Sequence, residues 1–151
     1  MPVFILMFIF AGCVSAAQEY QPHVEQLRTF FARNFSEKVI YVKVPRGLVI
    51  SFDEGVFFDE GSVELKEGSS EVLDEIIGLL KEIPNDVVVE DHTDGGNWEV
   101  STERAGVIAD YMVKRMQRDR VFALGYWNMM PLKGDISKRV DFVIIQYDMV
   151  R

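Results

Sequence analysis

The sequence predicts an α+β fold, a mixed β-sheet sandwich with helices packed on one face. Segments rich in β-branched and aromatic residues alternate with stretches whose apolar residues recur at helical spacing. The predicted order is helix, strand, strand, helix, strand, helix, strand, strand, which is typical of helices layered on one sheet. The 151 residues, 48% apolar and 26% charged, support one domain with one core.

The first 17 residues are predicted to be an export leader. Residues 3–14 form an uncharged apolar run that is shorter than the about 20 residues of a membrane-spanning helix, and small residues follow it. Two interpretations of Cys13 remain open. The stretch "IFAGC" resembles the lipobox of bacterial lipoproteins, which would make Cys13 a lipidated first residue; alternatively, cleavage near Ala16 or Ala17 gives a soluble product. In both cases the mature chain has no pair of cysteines and no disulfide.

Three elements are predicted in the first half of the chain. Residues 22–35 have apolar side chains at helical spacing after a proline that suits a first turn, so they are predicted to form a short amphipathic helix. Residues 38–44 and 47–52 are rich in β-branched and aromatic side chains, and a turn-length gap separates them. These two segments are predicted to pair as a hairpin.

The second half of the chain alternates helix and strand. A stretch that stops at Pro84 and Asn85 presents one wide apolar face and is predicted to be a helix. Residues 86–90, "DVVVE", form a short strand of the buried type, and another amphipathic helix follows. Two further strands, residues 120–126 and 139–147, complete the predicted fold, and the second of them alternates its side chains between two faces.

Polar residues gather between the buried strand and the helix after it. Glu90, His92 and Asp94 recur at period two, so that, if the strand continues through Asp94, the three side chains lie on one side of its end. Arg104 falls in the first or second turn of the helix. A guanidinium near helix N-terminal amides suits a carboxylate, and an aspartate nearby suits an ammonium, so the two would select a zwitterionic amino-acid head. The alternative is that Asp94 and Arg104 only form an ion pair that holds the turn.

The chain carries five motifs in order: "LVISFDEGVFFDEGSVELKEG", "VEDHTD", "NWEVSTERA", "GYWNMMPL" and "KRVDFVI". They resemble the motifs of the OmpA-like peptidoglycan-binding domain, which outer-membrane proteins, Pal-type lipoproteins and the flagellar stator MotB share. The resemblance implies a βαβαββ order for the sheet and helices. It also implies three segments, namely a leader (1–17), an N-terminal helix and strand extension (18–45) and the domain itself (46–147).

The resemblance implies a noncatalytic site for the diaminopimelate of the peptidoglycan stem peptide. The aspartate of "HTD" and the arginine of "RA" hold the amino and carboxylate groups of that ligand, and Asp94 and Arg104 occupy these positions here. Ser101 is expected to cap the helix. Further site residues that the resemblance implies are Thr93, Asn97, Asp59 and Arg139. Alternatively, Arg139 is only a surface charge that begins an edge strand.

Two departures from the family pattern affect this site. Asp91 replaces the usual glycine of "EGHTD", and we expect its negative charge to weaken binding of a carboxylate by an amount on the order of 1 kcal/mol if it is partly buried. The loop between Asp94 and Asn97 is only "GG", which would narrow the groove.

The expected partner is peptidoglycan, together with the outer membrane if Cys13 is lipidated. The expected location is the periplasm or outer membrane of a Gram-negative bacterium. A net charge of -8 argues against binding to nucleic acid. No cofactor, metal or enzymatic activity is expected.

Three alternatives to wall binding stay open. A stator-like component of an ion-driven motor would need a carboxylate within the membrane, and the leader has no acidic residue. A family fold that has lost wall binding would serve as a protein-interaction module. A metal-dependent hydrolase would use Glu90, His92 and Asp94 as ligands, but the only other histidine, His23, lies in the first predicted helix.

Overall fold

The computed structural model describes residues 39–94, 98–126 and 137–145, together with Thr29 and Arg33. Within these ranges five strands form one mixed sheet in the order β1-β2-β5-β3-β4, so that β5, the last strand in the chain, lies between β2 and β3. Adjacent strands are antiparallel except for the parallel pair of β3 and β4. The strands are β1 (Val39–Val44), β2 (Gly47–Asp53), β3 (Val87–His92), β4 (Val121–Gly125) and β5 (Arg139–Ile145).

Two helices pack on one face of this sheet, α1 (Ser69–Leu80) and α2 (Trp98–Val113). Their buried apolar side chains join those of alternate strand residues in one core cluster. Because side chains alternate along a strand, the residues that face the helices share one face of the sheet. Members of this core include Leu73, Ile76 and Leu80 of α1, Ala105, Ile108 and Met112 of α2, and Val87, Val89, Val140, Phe142 and Ile144 of the strands.

The loop after β2 is held to the core by three aromatic rings. Phe57 packs edge-on against Phe52 of β2 and Phe142 of β5, with ring centroids 5.5 and 5.8 Å away. A short 3-10 helix, Glu54–Val56, precedes Phe57, and the backbone amide of Glu54 donates to the carbonyl of Lys138 at 3.2 Å. Such aromatic pairs add to the free energy of burial, so this loop has a fixed path beside the start of β5.

The start of α2 lies directly against β4. A Cβ atom on Gly125 would come within 2.4 Å of the backbone nitrogen of Thr102, a distance that real side chains do not tolerate. Only glycine allows the helix to approach the strand this closely. The first two turns of α2 are therefore fixed beside the end of β3, which is the neighbour of β4.

The structure confirms the predicted α+β class, the mixed sheet with helices on one face, and the hairpin of β1 and β2. Two predicted boundaries were wrong. The helix expected to stop at Pro84 ends at Leu80, and the third strand extends through His92. The leader, Cys13 and Asn97 lie outside the described residues, as does the first predicted helix apart from Thr29 and Arg33, which are helical. Within the described ranges, neither helix combines the length and hydropathy needed to cross a membrane.

Candidate ligand-binding cleft

A cleft of about 400 Å³ opens at the end of the sheet where β2 and β3 finish and β5 begins. Four segments contribute to it: the loop after β2, the two residues after β3, the first two turns of α2 and the residue before β5. The lining residues are Glu54, Glu60, Gly61, Thr93, Asp94, Val100, Arg104 and Lys138.

Arg104 forms part of the floor of the cleft and is 2% exposed. Its Nη1 donates to Glu54 Oε2 at 2.8 Å, and its Nε donates to the carbonyl of Ser62 at 2.7 Å. Its Nη2 lies 3.5 Å from the carbonyl of Asp59, and the guanidinium sits 5.0 Å from the centre of the Phe58 ring. Each nitrogen of the guanidinium thus has an acceptor within the protein, and its charge is balanced by Glu54.

Asp94 and Lys138 face each other across the open part of the cleft. Lys138 Nζ lies 3.3 Å from Asp94 Oδ1, and the two side chains are 42% and 46% exposed. The hydrogen bond to Asp94 raises the pKa of Lys138, so the ammonium remains charged at neutral pH. An exposed ion pair of this kind contributes little to stability and exchanges readily with solutes.

Thr93 and Asp59 differ in what they present to the cleft. Thr93 lines it and is 5% exposed, and its hydroxyl has no hydrogen-bond partner among the described residues. A buried hydroxyl of this kind gains free energy from any ligand that completes its hydrogen bonding. Asp59 is exposed, does not belong to the lining, and contributes its backbone carbonyl to Arg104.

Arg139 lies away from the cleft, although the resemblance implied a role there. It is 2% exposed, and its Nε donates to Asp141 Oδ2 at 3.0 Å on the sheet face opposite the helices. Its neighbour Lys138 lines the cleft instead. Motif comparison did not single out Lys138, but the alternation of side chains along a strand is a signal that separates two adjacent cations in this way.

Ser101 does not cap α2, contrary to the prediction. The helix already begins at Trp98, so Ser101 lies inside its first turn. Its hydroxyl donates back to the carbonyl of Trp98 at 2.9 Å.

A buried polar network occupies the sheet face opposite the helices. His92 Nε2 lies 3.1 Å from Asp141 Oδ2, and the His92 ring stacks on Tyr126 with centroids 5.2 Å apart. Glu90, also fully buried, forms a two-pronged ion pair with Arg46, one arm of which is 2.8 Å. Burial raises the pKa of Asp141, but hydrogen bonds from His92 and Ser51 and the charge of Arg139 outweigh it, so the net pKa is lowered.

This network argues against the metal-dependent hydrolase. Ligand atoms of Glu90, His92 and Asp141 lie within 4.8 Å of one another, but Asp94 is not in the group, because β3 ends at His92 and the period of two stops there. Both carboxylates are already neutralised by arginines, Glu90 by Arg46 and Asp141 by Arg139. A cation entering here would have to displace two guanidinium groups from a buried site.

Asp91 lies on the helix-facing side of β3, behind the cleft. It is fully buried, and neither carboxyl oxygen has a hydrogen-bond partner among the described residues. Burial raises its pKa from 3.8 to about 8, the nearby charges of Glu54 and Asp141 act in the same direction, and Arg104 opposes them. The raised pKa favours the protonated, uncharged form of Asp91, and in that form Asp91 does not repel a ligand carboxylate.

The sequence matches the OmpA family model over residues 57–139, more than half of the chain. A curated relative, the uncharacterized protein YtxE of Bacillus subtilis, is 32% identical over 117 residues, which are 66% of this chain and 48% of YtxE. The chain therefore spans about half the length of that relative.

Several solved structures share this fold, among them the two described next. A MotB-like protein from Desulfovibrio vulgaris superposes with a TM-score of 0.73 at 23% identity, covering 86% of this chain and 96% of that one. The cell wall anchor of the T6SS from Pseudomonas aeruginosa superposes with a TM-score of 0.69 at 20% identity, covering 80% of this chain and 97% of that one. At these identities the likeness establishes a common fold.

Proposed function

This chain belongs to the OmpA family, and from that membership we propose that its cleft binds peptidoglycan without cleaving it, through the diaminopimelate of the stem peptide, and so anchors the cell envelope to the wall. The T6SS cell wall anchor, which shares the fold, carries a name consistent with such a role.

The observation that carries this proposal is the pairing of opposite exposed charges in the cleft. Asp94 and Lys138 lie 3.3 Å apart, and their charges are complementary to those of an amino-acid head: the aspartate is opposite in charge to its ammonium and the lysine to its carboxylate. A zwitterionic head replaces this ion pair with two new ones and leaves no charge unpaired. The unpartnered hydroxyl of Thr93 offers one further hydrogen bond in the same cleft.

The proposed contacts follow from this charge arrangement. Asp94 binds the ammonium of diaminopimelate, and the cationic side, formed by Lys138 and by Arg104 beneath it, faces the carboxylate. Thr93 lines the same cleft. Asn97, Asp59 and Arg139 remain proposals that rest on the family resemblance.

Export to the periplasm or outer membrane of a Gram-negative bacterium is part of the same proposal, since a wall-binding domain must reach the wall. Lipidation of Cys13 would attach it to the outer membrane, and cleavage after Ala16 or Ala17 would release it. Mass spectrometry of the mature protein distinguishes the two, because a lipidated Cys13 is the first residue and carries acyl mass.

Co-sedimentation with purified peptidoglycan sacculi tests the function. The full chain should pellet with sacculi, free diaminopimelate should release it, and Asp94→Ala should abolish pelleting while leaving the circular dichroism spectrum unchanged. Asp110→Ala, an exposed aspartate on α2, is the matched control and should pellet like the parent. A parent that stays in the supernatant would instead favour a family fold that has become a protein-interaction module.

A further inference from the structure

Another cavity, of about 310 Å³, lies at the end of the sheet opposite the cleft. The first residues of β3 and β4 pair there, and β3 runs from this end towards the cleft. The six residues of β3 span about 20 Å, so the two cavities can be occupied independently. The described residues that line this cavity are Lys81, Arg115, Met116, Gln117 and Arg120, and none of them is acidic.

Arg115 is oriented by two neighbours. Its guanidinium carbon lies 3.6 Å from the centre of the Tyr111 ring, and its Nε lies 3.1 Å from Asp74 Oδ1. The Arg115 and Asp74 side chains are 39% and 55% exposed, so water screens this ion pair and it exchanges readily with solutes. An anion that enters the cavity therefore meets a guanidinium that is held in place by the ring but is not tied to its carboxylate.

Arg120 and Lys81 add charge without a carboxylate partner. Arg120 donates through Nη2 to the carbonyl of Ile83 at 2.6 Å and through Nε to the carbonyl of Asn85 at 3.2 Å. These contacts orient the guanidinium, but a carbonyl has no net charge to balance it. Lys81 is exposed just after α1, and neither cation forms an ion pair with a carboxylate in the described ranges.

Three like charges around one cavity repel one another, and a bound anion removes that repulsion. A phosphate group suits the cavity, because the guanidinium groups, the Lys81 ammonium and the Gln117 amide all present N–H donors to its oxygens. The volume leaves room for carbon atoms beside the phosphate, and the half-buried Met116 offers them an apolar contact. The net charge of -8 disfavours a nucleic acid, so the phosphate is expected on a small molecule or a lipid.

We infer that this cavity binds the phosphate group of a small phosphorylated alcohol or of an anionic lipid headgroup. Lys81 and Gln117 contact the phosphate oxygens, Arg115 and Arg120 supply the remaining positive charge, and Met116 contacts the carbon atoms. The inference goes beyond the proposed function and does not depend on it, because none of these residues lines the cleft.

Titration of the full chain with glycerol 3-phosphate, followed by calorimetry at low ionic strength, tests the inference. The parent should bind glycerol 3-phosphate but not glycerol, and Lys81→Gln should weaken binding about tenfold, as expected for one charge-assisted hydrogen bond. Lys81→Arg should retain binding. Arg118→Gln removes an exposed cation close in sequence that does not line the cavity, and it should match the parent.

Flotation with vesicles distinguishes the two sources of phosphate. Flotation of the parent with phosphatidylglycerol vesicles but not with neutral phosphatidylcholine vesicles, lost in Lys81→Gln, would assign a lipid headgroup; binding of glycerol 3-phosphate without flotation would assign a soluble ester. Equal losses in Lys81→Gln and Arg118→Gln would indicate general charge attraction and overturn the inference, as would a parent that binds neither probe. Asp94→Ala should bind phosphate like the parent, so a failure of wall binding and a failure of this inference are distinguishable.

Discussion

Replacing Asp91 by asparagine should remove most of the pH dependence of stability between about pH 4 and pH 8. The parent's carboxyl group is fully buried with no hydrogen-bond partner among the described residues. Its pKa rises from 3.8 to about 8 on folding, chiefly because burial disfavours the charged form. Asparagine has nearly the same shape and carries no charge at any of these pH values.

The sign follows from proton binding. Between pH 3.8 and about 8 the folded chain keeps the Asp91 proton that the unfolded chain has lost, so the free energy of unfolding falls as pH rises. The slope approaches about 1.4 kcal/mol per pH unit, and the accumulated loss is roughly 4 kcal/mol at pH 7. Asp141, whose pKa is lowered on folding, acts in the opposite sense and only below its unfolded value of 3.8.

Urea unfolding followed by circular dichroism at pH 4, 5, 6, 7 and 8 measures this effect. Parent and Asp91→Asn should have similar stability near pH 4 and diverge as pH rises, with the variant the more stable. Asp110→Asn changes the same group at an exposed position of α2 and should follow the parent. Parallel curves for parent and Asp91→Asn would mean that Asp91 is ionised in the folded protein, and the reasoning from burial would be refuted.

Two further predictions concern the elements that place the cleft. Phe57→Ala should lower the free energy of unfolding by about 3–5 kcal/mol, because it empties the space between Phe52 and Phe142. Urea titration measures this change. A loss below about 1 kcal/mol would show that these rings do not hold the loop. Gly125→Ala should lower the free energy of unfolding by about 1–3 kcal/mol, because its Cβ would push the start of α2 away from β4. Unchanged stability together with unchanged binding to sacculi would contradict the close approach of the helix to the strand.

Local patterns predicted much of the fold. The alternation of Val140, Phe142 and Ile144 with their neighbours placed β5 correctly, since strand geometry repeats every two residues whatever the tertiary context. The end of α1 was misplaced because the buried Ile83 continues the apolar pattern beyond the last helical residue, Leu80. Boundaries of this kind depend on hydrogen bonds that hydrophobic spacing does not report.

The site was less predictable, because its properties depend on contacts between distant residues. Glu54 lies 50 positions before Arg104, and no spacing rule links them, so the balanced charge of Arg104 was not foreseen. The raised pKa of Asp91 depends on its complete burial, which only the folded chain shows. The separation of Lys138 from Arg139 was accessible from strand alternation, whereas the motif comparison singled out Arg139, whose side chain lies on the opposite face of the sheet.

The central position of β5 bears on the order in which this chain folds. β2 and β3 do not pair with each other, and each is joined to the sheet through β5. Until residues 139–145 are available, the hairpin and the β3–α2–β4 unit lack the strand that joins them in one sheet. Long-range pairing of this kind makes folding late and cooperative. A partly synthesised chain that lacks these residues therefore cannot complete the sheet, because β2 and β3 cannot pair with each other in this order.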